Sequence, residues 1–229
     1  MGETITARER QMRDRKLRIL IADDHEIVRQ GVRRLVEKEP TWEVCGEAAN
    51  GRAAVALAEE LQPDLAIIDL GMPELNGLEA TRQIRKVSPQ TELLIFTGEE
   101  SEQMIHAIFE AGARSYILKS DMSAHLVAAI RALGQHKHYF TTHISEVVFA
   151  RYLHGTTGPG TDKSEGMTPR EREIVQLLAE GKSNKAVAAL LGISIKTVET
   201  HRATVMRKLR LESFADLVRY AIRNKIVEA

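Results

Sequence analysis

Five residues with reactive or ligating side chains each close a short apolar run. Asp23 and Asp24 follow Leu17–Ala22, Asp69 follows Leu65–Ile68, Thr97 ends Glu92–Thr97, and Lys119 follows Ser115–Leu118. Close carboxylates repel one another, and a hard divalent cation with oxygen ligands relieves that repulsion. Three acids in a small site suit Mg²⁺, which keeps several of its waters. Lys119 could pair with Asp69 or with an anion bound beside it. Thr97 could donate a hydrogen bond to a phosphoryl oxygen, and Gly98 leaves room for that group. A carboxylate held next to Mg²⁺ and an ammonium can accept a phosphoryl group. The alternative is that these acids merely cap their strands; an adjacent pair plus a third acid on another strand end favours the metal.

This chemistry requires the run ends to meet. Leu65-Ala66-Ile67-Ile68 is apolar at every position, the pattern of a strand covered on both faces. Gly71, Pro73 and Gly77 then break it. Apolar runs alternate with segments of helical spacing: Glu26–Lys38, Gly51–Leu61, Leu78–Val87, Met104–Ala111 and Ala124–Leu133. Five such alternations predict a doubly wound α/β unit of five parallel strands. The carboxyl ends of parallel strands share one edge, where ligands bind in open α/β sheets.

The chain has 229 residues, 43% hydrophobic and 28% charged, as expected of an ordinary globular protein. It has no apolar run long enough to span a membrane, and its charged start does not read as a signal peptide. The single cysteine, Cys45, excludes an internal disulfide. These features predict a cytoplasmic protein with no membrane partner. Residues 162–229 hold 13 lysines and arginines against 9 acids; with 32 of each overall, the front is acidic. Opposite charge in the two parts predicts two domains with different partners.

Residues 136–166 read as a connection: a helix over His143–Tyr152, then a Gly- and Thr-rich linker from His154. His136 and His138 read as surface residues. Thr168-Pro169-Arg170-Glu171 opens a helix with an N-cap, a proline at the first helical position and a capping box. Gly181 ends it. Lys185–Leu191, Lys196–Arg210 and a segment from Ser213 to Lys225 follow, predicting a four-helix helix-turn-helix unit. At 100° per residue, Val198, Val205 and Leu209 share one face of the third helix, and Lys196, Thr200, Ala203 and Arg207 the other. Small residues between cations suit a helix that enters a DNA groove between phosphates.

Residues 17–135 resemble the receiver domain of two-component response regulators, through Asp23-Asp24, the block DLGMPELNG from Asp69 to Gly77, Thr97-Gly98, Tyr116 and Lys119. The resemblance implies a flavodoxin-like fold with Asp69 as phosphoacceptor. It implies Mg²⁺ held by Asp24, Asp69 and the carbonyl of Gly71, with Asp23 assisting, and a switch pair of Thr97 and Tyr116. Ser120 stands where many receivers carry a proline. Gly71 and Glu99 occupy the two places that tune how fast water reaches the acyl phosphate. Residues 167–226 resemble the LuxR-type DNA-binding domain, through TPRE, LLAEGKSNK and LGISIKTVETHRATVMRKL, with Ala186 where an acid is usual. The expected DNA-contacting set is Lys196, Thr197, Glu199, Thr200, Ala203 and Arg207.

The whole chain resembles the NarL/FixJ subfamily of response regulators. The implied organisation is a tail (1–16), a receiver (17–135), a helix and linker (136–166) and a DNA-binding domain (167–229). The implied function is a transcription regulator loaded on Asp69 by a sensor histidine kinase, binding double-stranded promoter DNA as a homodimer when active. It is not an enzyme beyond accepting the phosphoryl group and slowly losing it. Two rivals remain: an aspartate-nucleophile phosphatase and a regulator whose receiver is never phosphorylated. Such phosphatases carry a second acid two residues past the nucleophile, where this chain has Gly71. The unphosphorylated receiver is expected to cover the recognition helix, and phosphoryl capture by Thr97, with Tyr116 turning inward, to release it.

Overall fold

The computed structural model describes residues 15–98, 102–141, 144 and 167–227. The tail up to residue 14, Glu99, the 143–152 helix and the 154–166 linker therefore lie outside the described residues, apart from Ile144.

The first unit runs β1 (Leu17–Ala22), α1 (Glu26–Val36), β2 (Trp42–Ala48), α2 (Gly51–Leu61), β3 (Leu65–Ile68), α3 (Gly77–Val87), β4 (Glu92–Thr97), α4 (Glu102–Glu110), β5 (Ser115–Leu118), α5 (Met122–Leu133) and β6 (Tyr139–Phe140). Strand order is β2-β1-β3-β4-β5-β6, with every pairing parallel. The sheet thus has six strands where the sequence pattern predicted five. The sixth is two residues long and pairs Tyr139 with Ser115 and Phe140 with Tyr116. So short a segment lacks the alternation that identifies a strand.

The alternation of strand side chains divides the core into two layers. Leu65 and Ile67 face α1 and α5 with Val32, Val36, Leu126 and Ile130. Ala66 and Ile68 face the other layer, with Ala54 and Ala58 of α2 and Ile84 of α3. Both faces of β3 are covered, so all four of its residues are buried.

The second unit is α6 (Pro169–Ala179), α7 (Asn184–Leu191), α8 (Ile195–Lys208) and α9 (Phe214–Arg223) around Ile174, Leu177, Val187, Val198, Val205 and Leu217. Thr168 and Glu171 form the capping box of α6, and Ser183, Ser194 and Ser213 cap the next three helices. Gly181 and Gly192 take φ of +83° and +63° at the turns after α6 and α7, where a side chain would be strained.

The two units are docked through α6. The buried Gln176 side chain donates from Nε2 to the Met72 carbonyl (3.1 Å) and accepts the Asn76 N–H at Oε1 (2.8 Å). The Glu74 N–H donates to Glu180 Oε1 (2.9 Å), and Arg52 pairs with Glu173. This corrects the expected arrangement. The first unit holds the first helix of the second, while Lys196, Thr200, Ala203 and Arg207 of α8 are exposed.

Candidate functional site

The C-terminal ends of β1, β3, β4 and β5 meet on one sheet edge. β3 ends at Ile68, hydrogen-bonded beside Ala22, so Asp69 is the first residue past the strand; its N–H donates to the Ala22 carbonyl at 2.8 Å. Asp23 and Asp69 are 2% and 3% exposed, and Thr97 is 2% exposed, whereas Asp24 is open to solvent. Lys119 Nζ bridges the buried pair, 2.8 Å from Asp23 Oδ2 and 3.0 Å from Asp69 Oδ2. Burial alone would lower the pKa of this ammonium. The hydrogen bond to Asp23 and the charges of Asp69 and Asp23 outweigh it, and the pKa is raised.

Asp23 is fixed from three sides. Its Oδ1 accepts the His25 N–H (2.9 Å), its carbonyl accepts Arg29 Nη1 (2.7 Å), and Lys119 holds Oδ2. His25 Nδ1 lies 2.7 Å from Asp24 Oδ1. Ligand atoms of Asp23, Asp24, His25 and Asp69 all lie within 4.8 Å of one another. Three carboxylates within that span are the hard oxygen donors that Mg²⁺ takes, so the residues present fit the ion.

The loop after Asp69 is shaped by contact. The Gly77 N–H donates to the Leu70 carbonyl (2.9 Å), and a Cβ at Gly77 would stand 1.9 Å from the Asp69 carbonyl oxygen. Asn76 caps α3 by accepting the Glu79 N–H. Gly71 is in this loop and lines the cleft above Asp69. A Cβ at Gly98 would meet nothing within 4 Å, so the space beside Thr97 is open.

Tyr116 differs from expectation. It is 1% exposed and sits between Ile95 of β4 and Phe140 of β6. The inward turn assigned to a switch is already made: the ring belongs to the buried layer that also holds Ile95, Ile105 and Ile108. Phe140 in turn meets the Phe109 ring edge-on at 5.3 Å. Lys119 and Ser120 lie in a single 3-10 turn, and no cis peptide occurs among the described residues.

In α8, Lys196, Glu199, Thr200, Ala203 and Arg207 are exposed and Thr197 is half-buried. Thr197 belongs to the N-cap, with its N–H donating to Ser194 Oγ at 3.0 Å. Thr200 Oγ1 donates to the Lys196 carbonyl at 2.8 Å, so its methyl group and hydroxyl lone pairs remain for a ligand.

Sequence reasoning passed over His25 and Gln176. His25 directly follows the acid pair, which was signal enough. Gln176 gave none, because the receiver groups that hold it are backbone groups about a hundred residues away.

Comparison with known proteins agrees with this anatomy. Residues 19–131 match the response regulator receiver domain, and residues 165–221 match the bacterial regulatory proteins of the luxR family. The chain is 37% identical over 211 residues to the transcriptional regulatory protein LiaR of Bacillus subtilis, covering 92% of this chain and 99% of that one. Among solved structures, the RcsB response regulator of Salmonella typhimurium aligns with a TM-score of 0.56 at 26% identity, covering 90% of this chain and 98% of that one. An RcsB–DNA complex aligns with a TM-score of 0.55 at 25% identity, over 90% and 97%. A parallel sheet with an acidic edge, joined to a helix-turn-helix, defines the class: a signal-controlled DNA-binding regulator. The chain belongs to the response regulators that combine a receiver with a LuxR-type DNA-binding domain. Neither the phosphatase reading nor the never-phosphorylated one gains support from these matches.

Proposed function

We propose that Asp69 is the phosphoacceptor and that a sensor histidine kinase is the donor. The observation that carries this reading is the Lys119 bridge, which holds a half-buried ammonium 3.0 Å from the buried Asp69 and 2.8 Å from the buried Asp23. An Asp69 carboxylate oxygen attacks phosphorus in line. The donor's P–N bond breaks, and the imidazole leaves and takes up a proton. Thr97 hydroxyl and Lys119 ammonium then bind phosphoryl oxygens. Asp24, Asp69 and the Gly71 carbonyl, assisted by Asp23, would hold Mg²⁺, which when bound offsets the negative charge that gathers on carboxylates and phosphoryl oxygens. Tyr116 with Thr97 remains the proposed switch pair, now one that acts from the buried position.

Lys196, Thr197, Glu199, Thr200, Ala203 and Arg207 would face promoter DNA. A single helix-turn-helix offers few base contacts, so two copies on two half-sites are proposed, as in the structure of two RcsB dimers on two parallel DNAs. The domain limits proposed are 17–135 and 167–229, with work in the cytoplasm; among the described residues no helix is long and apolar enough to cross a membrane. The deciding experiment is phosphoryl labelling of the intact protein. Hydroxylamine-labile label should form on the wild-type chain and be lost in Asp69→Asn; label that persists in the variant defeats the assignment.

A further inference from the structure

The cleft above the acidic edge is built by both domains. Asp24, Gly71, Thr97 and Lys119 form its floor, and Gln176, Glu180 and the segment Lys225–Val227 of the second domain form its far wall. Its volume is about 770 Å³. Spaces of roughly 300–1,000 Å³ admit compact small molecules. A phosphohistidine carried on a folded protein reaches only as far as its short side chain. His25, Val28 and Met104 border the cleft on the receiver's own side and α6 with the C-terminal segment on the other, so a protein that seats across the cleft to bring its phosphohistidine to Asp69 meets the second domain.

We propose that the docked DNA-binding domain selects the phosphodonor: it admits small phosphoryl donors to Asp69 and excludes protein donors until it is displaced. The proposal rests on Asp69 being the phosphoacceptor. The contacts that hold the wall are specific. Gln176 satisfies a backbone N–H and a backbone C=O of the loop that follows Asp69, and it also donates to Glu180 Oε1 at 2.9 Å. Glu180 in turn accepts the N–H of Glu74, a residue at φ +66°. Outside the cleft, Arg52 of α2 pairs with Glu173, which Arg170 also holds at 2.6 Å. Docking leaves the DNA-facing side of α8 exposed, so what it covers is the input site. Small donor or protein donor, the bond made is the same: an Asp69 oxygen to phosphorus. Acetate leaves in one case and imidazole in the other.

The test uses the full chain, with radiolabelled acetyl phosphate as small donor and a panel of autophosphorylated sensor-kinase cores as protein donors. Arg52→Ala weakens docking from outside the cleft, and Gln176→Ala removes the clamp. Small-angle scattering should report a larger radius of gyration for each. Labelling by acetyl phosphate in Arg52→Ala should stay within about twofold of wild type. Labelling by the kinase cores should rise about tenfold in Gln176→Ala, the scale of losing a buried hydrogen-bonded pair. Kinase labelling equal in wild type and both variants, absence from all three included, overturns the proposal. Failure of the phosphoacceptor reading looks different: acetyl phosphate labels no protein, or labels Asp69→Asn as well.

Discussion

At the scale of single residues, the site depends on one close approach and on one helix face. Gly77 has no Cβ because the Asp69 carbonyl oxygen occupies that place, at 1.9 Å. Its N–H also closes the loop onto Leu70. Gly77→Ala should therefore destabilise the receiver by about 1–3 kcal/mol despite alanine's better helix propensity. Urea unfolding measures it, and an unchanged midpoint would show that the loop yields freely. On α8, Lys196 is exposed at the first turn and Thr200 one turn further. Lys196→Ala should weaken binding to all DNA sequences alike and reduce the salt slope by about one unit. Thr200→Ala should change which base pair is preferred, by roughly 1–3 kcal/mol. Titrations at several salt concentrations separate the two; a changed preference in the Lys196 variant alone would invert the assignment.

At the scale of elements, α6 is tied at its start to α8. Glu171 accepts the Thr168 N–H at 2.8 Å and both its oxygens accept from Lys208 Nζ, at 2.7 and 2.8 Å. Burial alone would raise the carboxyl's pKa; the hydrogen bonds from Lys208 and Thr168 outweigh it, and the pKa is lowered. A carboxyl with a lowered folded-state pKa contributes stability above its unfolded pKa, here near the ordinary value of 4.5, and loses it as pH falls through the folded value. Wild type should thus exceed Glu171→Gln in melting temperature at pH 7, with the gap closing as pH drops below 4.5. A gap that persists unchanged at acid pH would mean that the carboxylate's charge contributes nothing. The same helix explains an oddity of its sequence. Glu173 and Gln176 are buried along with Ile174 and Leu177, since one side of α6 faces its own core and the other faces Arg52, Met72 and Asn76 of the receiver.

At the scale of the whole molecule, docking through α6 leaves the DNA-reading side open. Gln176→Ala should leave unphosphorylated affinity for a single half-site within about threefold of wild type, because a change that favours neither bound nor free recognition helix shifts no binding equilibrium. Fluorescence anisotropy with a half-site duplex measures this. A large gain in affinity on undocking would restore the view of the receiver as a cover for the recognition helix.

The sequence alone determined the parallel sheet, the convergence of Asp23, Asp24, Asp69, Thr97 and Lys119, the Thr168–Glu171 capping box and the helix-turn-helix. All of these follow from local information: hydrophobic period, breakers at strand ends, and cap residues three positions from their partners. The tertiary structure decided the rest. β6 is two residues long and is defined by its pairing with the edge of β5, a partner that no local pattern announces. The docking of α6 was illegible because its contacts are made by polar side chains that read as a solvated face. Gln176 bonds to the backbone of Met72 and Asn76, and every residue but proline carries that same pair of groups, so no residue type could mark the partner.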